Sequence, residues 1–257
     1  MLKINKIVLC ILTLSNCMYA KISFPPGITT QDLKNKKIEF AWDIHETLCQ
    51  KNKGEIAGIT LTHLPTIIGN IGMVRSDIKK IKKENEYAAG EAYAEHFRKK
   101  NKPKIAQFIE KIANAYKPTK GIVPLLHELS SKGYTHRLAS NIGKRHLAIL
   151  NNRLIQKFKC PLFGHMNGGT IIDYGLPIHD IRSITKEPLS YAKQPKPHND
   201  LYKTYNQTYN GNNSKIIIFI DDKIKNIEAA NRNGWIGIHF TTTKKLRIDL
   251  QELGILS

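Results

Sequence analysis

Four short stretches hold the residues that could do chemistry. They are Trp42-Asp43-Ile44-His45-Glu46-Thr47-Leu48, Ala139-Ser140-Asn141, Gln194-Pro195-Lys196-Pro197 with Tyr202 just beyond, and Ile220-Asp221-Asp222-Lys223-Ile224-Lys225-Asn226. An aspartate at a strand end can act as a nucleophile, because its oxygen can attack phosphorus and form an acyl phosphate. Asp43 is the candidate. Two carboxylates brought close together repel, and a divalent cation both neutralises them and holds a phosphate oxygen. Asp43 with Asp221 or Asp222 would supply such carboxylates, and the backbone carbonyl of His45 a further oxygen. Mg²⁺ suits an oxygen-only site that keeps several waters. Ser140 offers a hydroxyl, and Asn141 a backbone amide, to a phosphoryl oxygen. Lys196 offers a point charge that offsets nucleophile and transferring group together. Asn226 lies four residues after Asp222, one helical turn on, where it could orient that acid. Thr47 is kept as a supporting residue of the first stretch.

These residues matter only if the chain brings them together. Lys36 to Asp43 reads as a short strand ending in an acid, and Thr135 to Asn141 as a second ending in polar residues. Lys215 to Asp222 is the clearest strand, and its five consecutive apolar residues suit a parallel strand buried on both faces. Trp235 to Phe240 reads as the last. Between them, Ile122, Leu125, Leu126 and Leu129 mark a helix closed by Gly133, and Leu147, Leu150, Leu154 and Phe158 mark another. Leu201, Tyr202 and Tyr205 suggest a short helix, Asn206 to Ser214 a polar loop, and Ile224 to Asn231 a further helix. Residues 160–195 read as irregular. Strands alternating with helices argue for an α/β fold, an open, Rossmann-like parallel sheet with helices on both faces. Ligands in such sheets sit at the carboxyl ends of the strands, where Asp43, Ser140, Asn141, Asp221 and Asp222 would converge.

The four stretches, in this order and spacing, resemble the motifs of the haloacid dehalogenase (HAD) superfamily over roughly residues 36–242. That resemblance implies Asp43 as nucleophile, Ser140 as phosphate ligand, Lys196 as charge stabiliser, and Asp221 and Asp222 as metal ligands. It implies a Mg²⁺-dependent phosphatase of small phosphorylated molecules. Plainer readings stand beside it: Ser140 and Asn141 could cap the next helix, and Lys196 could be a solvated surface lysine. The acid pair at a buried strand end is harder to explain without a cation. Metal-free dehalogenation of carbon, also found in the superfamily, has no use for that pair.

One position departs from the pattern. Family phosphatases carry a second aspartate two residues after the nucleophile, and here that residue is His45. Imidazole can serve as general acid and base, since its reference pKa of about 6.5 lies near neutrality. A nearby cation disfavours its charged form. His45 is therefore a working substitute, the mark of a slow enzyme or phosphotransferase, or the mark of a catalytically impaired protein that only binds phospho-ligands.

Residues 50–117 read as a mostly helical insert, with Asp77 to Glu95 helix-compatible and Ile105, Phe108, Ile109, Ile112, Ala113 and Tyr116 forming one apolar face. In the family this place holds a cap over the site, leaving residues 36–49 and 118–257 as the core. Tyr87, Tyr93 and Phe97 could line a substrate pocket, with packing inside the insert as the plainer alternative.

Composition bounds the rest. The chain has 257 residues, 41% of them hydrophobic, which suits one domain with an inserted lobe. Its formal net charge is +19, with the lysines spread along its length. That charge suits anionic ligands or reflects compositional drift alone, and no aromatic-rich basic motif supports a nucleic-acid partner. Residues 1–20 have the layout of a signal peptide: Lys3 and Lys6, the apolar run Ile7 to Leu14, and a polar exit to Ala20. The apolar run is too short for a stable membrane span. The expectation is export, periplasmic or secreted, with Cys17 a weak match to a lipid-acceptor site. Cys49 and Cys160 remain beyond the leader, and two separate buried thiols are expected rather than a bridge. Oligomeric state is not legible.

Overall fold

The computed structural model describes residues 22–84, 90–142, 144–160, 162–164, 172–173 and 196–257. Residues 1–21 with Cys17, Tyr87, Gln194, Pro195 and most of residues 160–195 lie outside the described residues.

The chain runs β1 (Ile22–Ser23), α1 (Asp32–Asn35), β2 (Lys37–Trp42) and β3 (Cys49–Lys51). The insert follows as α2 (Lys53–Thr62), α3 (Leu64–Ile68), α4 (Ile71–Glu84), α5 (Gly90–Lys99) and α6 (Pro103–Ala113). The chain returns through β4 (Tyr116–Pro118), α7 (Ile122–Ser131), β5 (Thr135–Leu138), α8 (Lys144–Phe158), β6 (Phe163–Gly164) and β7 (Ile172–Asp173). It ends with α9 (Asn199–Tyr209), β8 (Lys215–Asp221), α10 (Ile224–Arg232), β9 (Ile236–His239) and α11 (Thr243–Glu252).

The main sheet has the order β1-β9-β8-β2-β5-β7-β6. Its pairings are parallel except at β1, which lies antiparallel on β9. The unbroken apolar run of β8 is explained by burial on both faces. Ile216, Ile218 and Ile220 enter one core cluster, and Ile217 and Phe219 the other. The pleat of β2 divides Phe40 and Trp42 from Ala41 in the same way. Glu39, fully buried on β2, is held by Tyr205 Oη at 2.6 Å, Lys215 Nζ at 2.9 Å and Arg137 Nε at 3.2 Å.

Several elements depart from expectation. The insert is helical over its described residues between 53 and 113, but β3 and β4 that carry the chain in and out pair as a two-stranded antiparallel ribbon. Of the segment from Asp77 to Glu95, Asp77 to Glu84 lies in α4 and Gly90 to Glu95 in α5, and residues 85–89 lie outside the described residues. Phe97 is buried and Tyr93 packs beside it in the insert's own core with Ile105 and Ile109, so packing accounts for both. Residues 206–209 belong to α9 rather than to a loop. There Asn206 accepts Trp235 Nε1 at 2.7 Å and Arg137 lies over the Tyr209 ring at 4.3 Å, so tertiary contacts extend the helix. β1, β6, β7 and α11 were not foreseen. Cys49 and Cys160 are both free, and Cys160 is half-buried rather than buried.

Candidate active site

Register builds the site. Trp42 pairs with Ile220 on β8 and with Leu138 on β5. The next residues out of those strands therefore emerge side by side at one edge of the sheet: Asp43, Asp221, and Ala139 leading to Ser140. The pairing continues past the strands, with Asp43 N donating to Ile220 O at 3.0 Å and Ala139 N to Trp42 O at 2.9 Å. Beyond Asp43 the chain turns tightly: Glu46 sits at φ 60°, and Glu46 N donates to Cys49 O at 2.7 Å.

Three side chains and one backbone amide meet on Asp43 and Asp221. Ser140 Oγ donates to Asp43 Oδ1 at 2.7 Å, and Lys196 Nζ donates to the same oxygen at 2.8 Å. Lys196 Nζ also donates to Asp221 Oδ2 at 2.7 Å and lies 4.9 Å from the centre of the Phe219 ring. Lys196 is buried, so a solvated surface lysine is the wrong description. Asn226 Nδ2 reaches both oxygens of Asp221, at 2.9 and 2.8 Å, and the backbone amide of Lys223 reaches Oδ1 at 2.8 Å. This corrects the expectation for Asn226. It orients Asp221, not Asp222, because α10 turns the Asn226 side chain back over the last strand residue.

Asn141 has a further contact that the sequence did not suggest. Its side chain clasps the backbone of Lys196, with Oδ1 accepting Lys196 N at 3.0 Å and Nδ2 donating to Lys196 O at 3.1 Å. It therefore fixes the segment from which the lysine reaches inward. A Lys-Pro pair in a polar stretch hints at a turn, but nothing local in the sequence names Asn141 as its partner. Tyr202 Oη donates to Asn226 O at 2.9 Å, so the tyrosine that follows the Lys-Pro pair braces the start of α10. Thr47 Oγ1 is buried with no hydrogen-bond partner among the described residues, so nothing ties it to the acids.

Asp43, Asp221 and Asp222 each offer an oxygen within 4.8 Å of the others. Burial pushes the Asp43 carboxyl up, but Lys196, His45 and Ser140 outweigh it and hold it below its ordinary value. Asp221 is raised, by burial first and then by Asp43, against the pull of Lys196. Burial, Asp221 and Asp43 push Asp222 up to about 6. Burial works against the Lys196 charge, yet Asp221 and Asp43 more than restore it, so its ammonium is raised. Asp222 Oδ1 is buried without a hydrogen-bond partner among the described residues. Three carboxylates, one ammonium and an orphaned carboxylate oxygen leave an excess of negative charge. The donors are all oxygen, so a hard divalent cation fits the set.

His45 faces the returning strand. Its ring centre lies 4.8 Å from that of Tyr116, with the planes at 53°. Tyr116 is buried, and burial together with Glu46, Cys49, Asp43 and Asp222 pushes its phenol up to about 12, so it stays neutral. No sequence signal pointed to this contact. Cys49 lies fully buried behind the turn, and burial, then Cys160 and Asp43, push its thiol up, which leaves it unreactive.

A parallel sheet with acids at the ends of two neighbouring strands, and a helical insert just after the first, is the fold of the haloacid dehalogenase (HAD) superfamily. Two solved structures of one enzyme share that fold. The HAD-family enzyme bt-2542 from Bacteroides thetaiotaomicron matches at a TM-score of 0.51 and 14% identity, over 81% of this chain and 95% of that one. Its magnesium complex matches at a TM-score of 0.50 and 13% identity, with the same coverage. The defluorinating L-2-haloacid dehalogenase Rha0230 gives a TM-score of 0.48 at 12% identity, over 84% of each chain. At these identities the likeness is one of fold, and no particular reaction is inherited from it. No protein-family description and no curated protein matches the sequence.

Proposed function

We propose that the protein is a Mg²⁺-dependent phosphomonoester hydrolase acting on a small phosphorylated metabolite. The observation that carries this reading is the meeting of Asp43, Asp221 and Asp222 within 4.8 Å, with Lys196 and Ser140 both donating to Asp43 Oδ1. A lone carboxylate could be structural. Three acids beside one ammonium that bonds only two of them, with an orphaned oxygen on the third, are expensive to keep unless they bind something. The magnesium complex of bt-2542, which has the same fold, is in keeping with that choice of ion.

Asp43, Asp221 and Asp222 would hold the ion, with the His45 backbone carbonyl as a further oxygen. When bound, Mg²⁺ supplies positive charge to a phosphoryl oxygen and to the acids around it. The protein's own groups do the rest. A carboxylate oxygen of Asp43 attacks phosphorus, the bond to the leaving oxygen breaks, and that oxygen takes a proton from His45 or from water. Ser140 Oγ and the Asn141 amide bind phosphoryl oxygens as charge builds, and Lys196 offsets it. Water then cleaves the aspartyl phosphate and frees Asp43, with His45 available to take the proton. The helices of residues 53–113 act as a cap that excludes water and selects substrates. We read residues 1–20 as an export signal, testable by cell fractionation.

A screen of phosphate release over a panel of phosphometabolites, with and without Mg²⁺, tests this reading. Release should require the ion, and Asp43→Asn should abolish it. Equal release by parent and Asp43→Asn would end the mechanism. His45 favours one second reading, a catalytically impaired protein that binds phospho-ligands. That reading predicts Mg²⁺-dependent binding of a phosphate mimic without turnover of any panel member, and gain of turnover in His45→Asp.

A further inference from the structure

The first helices of the insert carry a surface unlike the rest of the molecule. From Gly54 to Val74, Glu55 is the only residue of the Asp, Glu, Lys or Arg types, in a chain where such residues make up 24%. Neither α2 nor α3 buries any of its side chains. Leu61 is 70% exposed, Ile68 64%, Ile71 46% and Leu64 40%. These four fall within eleven residues, yet they are half of the eight large hydrophobic side chains exposed among the described residues. A single exposed leucine needs no explanation, whereas a cluster of this kind marks a contact surface. The insert's own core does not need them, since it is built from Ala94, Phe97, Ile105, Ala106 and Ile109.

The charge beside the cluster says what would cover it. On α4, Ile71, Arg75, Lys79 and Lys83 follow at four-residue spacing, and all four are exposed. That spacing makes one strip along the helix. It begins apolar and turns basic, while Val74 and Ile78 on another side pack against the insert core. Two nearby acids are already neutralised. Glu55 is held by Arg153 and Lys157, and Asp77 accepts Lys100 Nζ at 2.8 and 2.7 Å.

We infer that this face docks on an anionic lipid surface. Leu61, Leu64, Ile68 and Ile71 enter the boundary between headgroups and acyl chains, and Arg75, Lys79 and Lys83 lie among the headgroups. A second copy of the chain is the poorer occupant. It would set one basic strip against another, on top of a formal charge of +19 on each copy. A bilayer with negative headgroups meets both halves of the strip. Among the described residues no helix is long and apolar enough to cross a membrane.

The test uses the full chain with phosphatidylcholine vesicles, with and without phosphatidylglycerol. The protein should co-sediment with the anionic vesicles only, and added salt should weaken binding. Leu61→Asp or Ile68→Asp should lower partitioning about tenfold or more. Arg75→Glu or Lys79→Glu should lower it roughly fivefold or more. These positions are exposed, so unchanged urea midpoints will show that the fold is intact. Four results would overturn the inference: no sedimentation with either vesicle; anionic binding that survives Ile68→Asp undiminished; a concentration-dependent dimer that Ile68→Asp dissolves; or a raised KM for phosphate release in Ile68→Asp with vesicle binding unchanged.

Discussion

Asp222→Asn should make the metal-free protein more stable. The Asp222 carboxyl is pushed from an ordinary value of 3.8 up to about 6, by burial and then by Asp221 and Asp43. A carboxyl raised on folding costs stability wherever it must ionise: fully above about pH 6, and not at all below about pH 3.8. The gap corresponds to about 3 kcal/mol, taking ~1.4 kcal/mol per pH unit. Asp222 is only half-buried, so solvent screening trims the cost to about 1–2 kcal/mol. Asparagine keeps the shape and removes the charge. In urea denaturation at pH 7.5 (a condition of about neutral pH, well above the raised value) with EDTA, the variant should gain that amount. Mg²⁺ reverses the order. At about a hundredfold excess over its dissociation constant, an ion that binds only the folded parent adds about 2.7 kcal/mol. The variant has lost one ligand and should gain less than about 1 kcal/mol. A variant no more stable than the parent in EDTA, or one that Mg²⁺ stabilises as strongly as the parent, would refute the idea that these acids are held together for a cation.

Three further outcomes are expected. Lys196→Met strands Asp43 and Asp221 without their shared ammonium and should cost about 3–5 kcal/mol in EDTA, read as a lowered urea midpoint; a loss under about 1 kcal/mol would mean the lysine is not their counter-charge. Asn141→Ala releases the Lys196 backbone and should lower kcat for phosphate release about tenfold, with a stability loss of only about 1 kcal/mol; unchanged kcat would show that the clasp does not position the lysine. His136 is buried with Nδ1 accepting Trp42 Nε1 at 3.1 Å, and burial lowers its pKa from 6.5 to about 4. The unfolded chain takes up a proton near pH 6.5 and the folded one does not. Stability should therefore fall by about 3 kcal/mol as the pH drops from about 6.5 to about 4. His136→Phe should flatten that part of the curve; parallel pH curves for parent and variant would exclude His136 as its source.

The parts legible in sequence are those written in local pattern. The unbroken apolar run before Asp221 announced a strand buried on two faces, and Ile216, Ile218 and Ile220 do part from Ile217 and Phe219 into separate clusters. Acids at strand ends were likewise visible, because strand ends and ligand sites coincide in parallel sheets. Partnerships across the chain were not. The four-residue step from Asp222 to Asn226 suggested a pair, but the amide turns to Asp221 instead. Asn141 and Lys196 are 55 residues apart, and no periodicity links them. Of the strands β1, β6 and β7, two residues each lie among the described residues, and no alternation was read there in the sequence.

The ribbon of β3 and β4 is the chain's route into and out of the insert, and it carries more than backbone. Tyr116 stands on the returning strand with its ring against His45, while Arg153 of α8 grips Tyr116 O at 2.9 Å and also pairs with Glu55 at the root of α2. Under the proposed function, hinge and proton carrier would share one wall. Any swing of the helices about this ribbon drags the tyrosine along and shifts the imidazole's backrest, so opening the lobe and disarming the histidine would be a single movement.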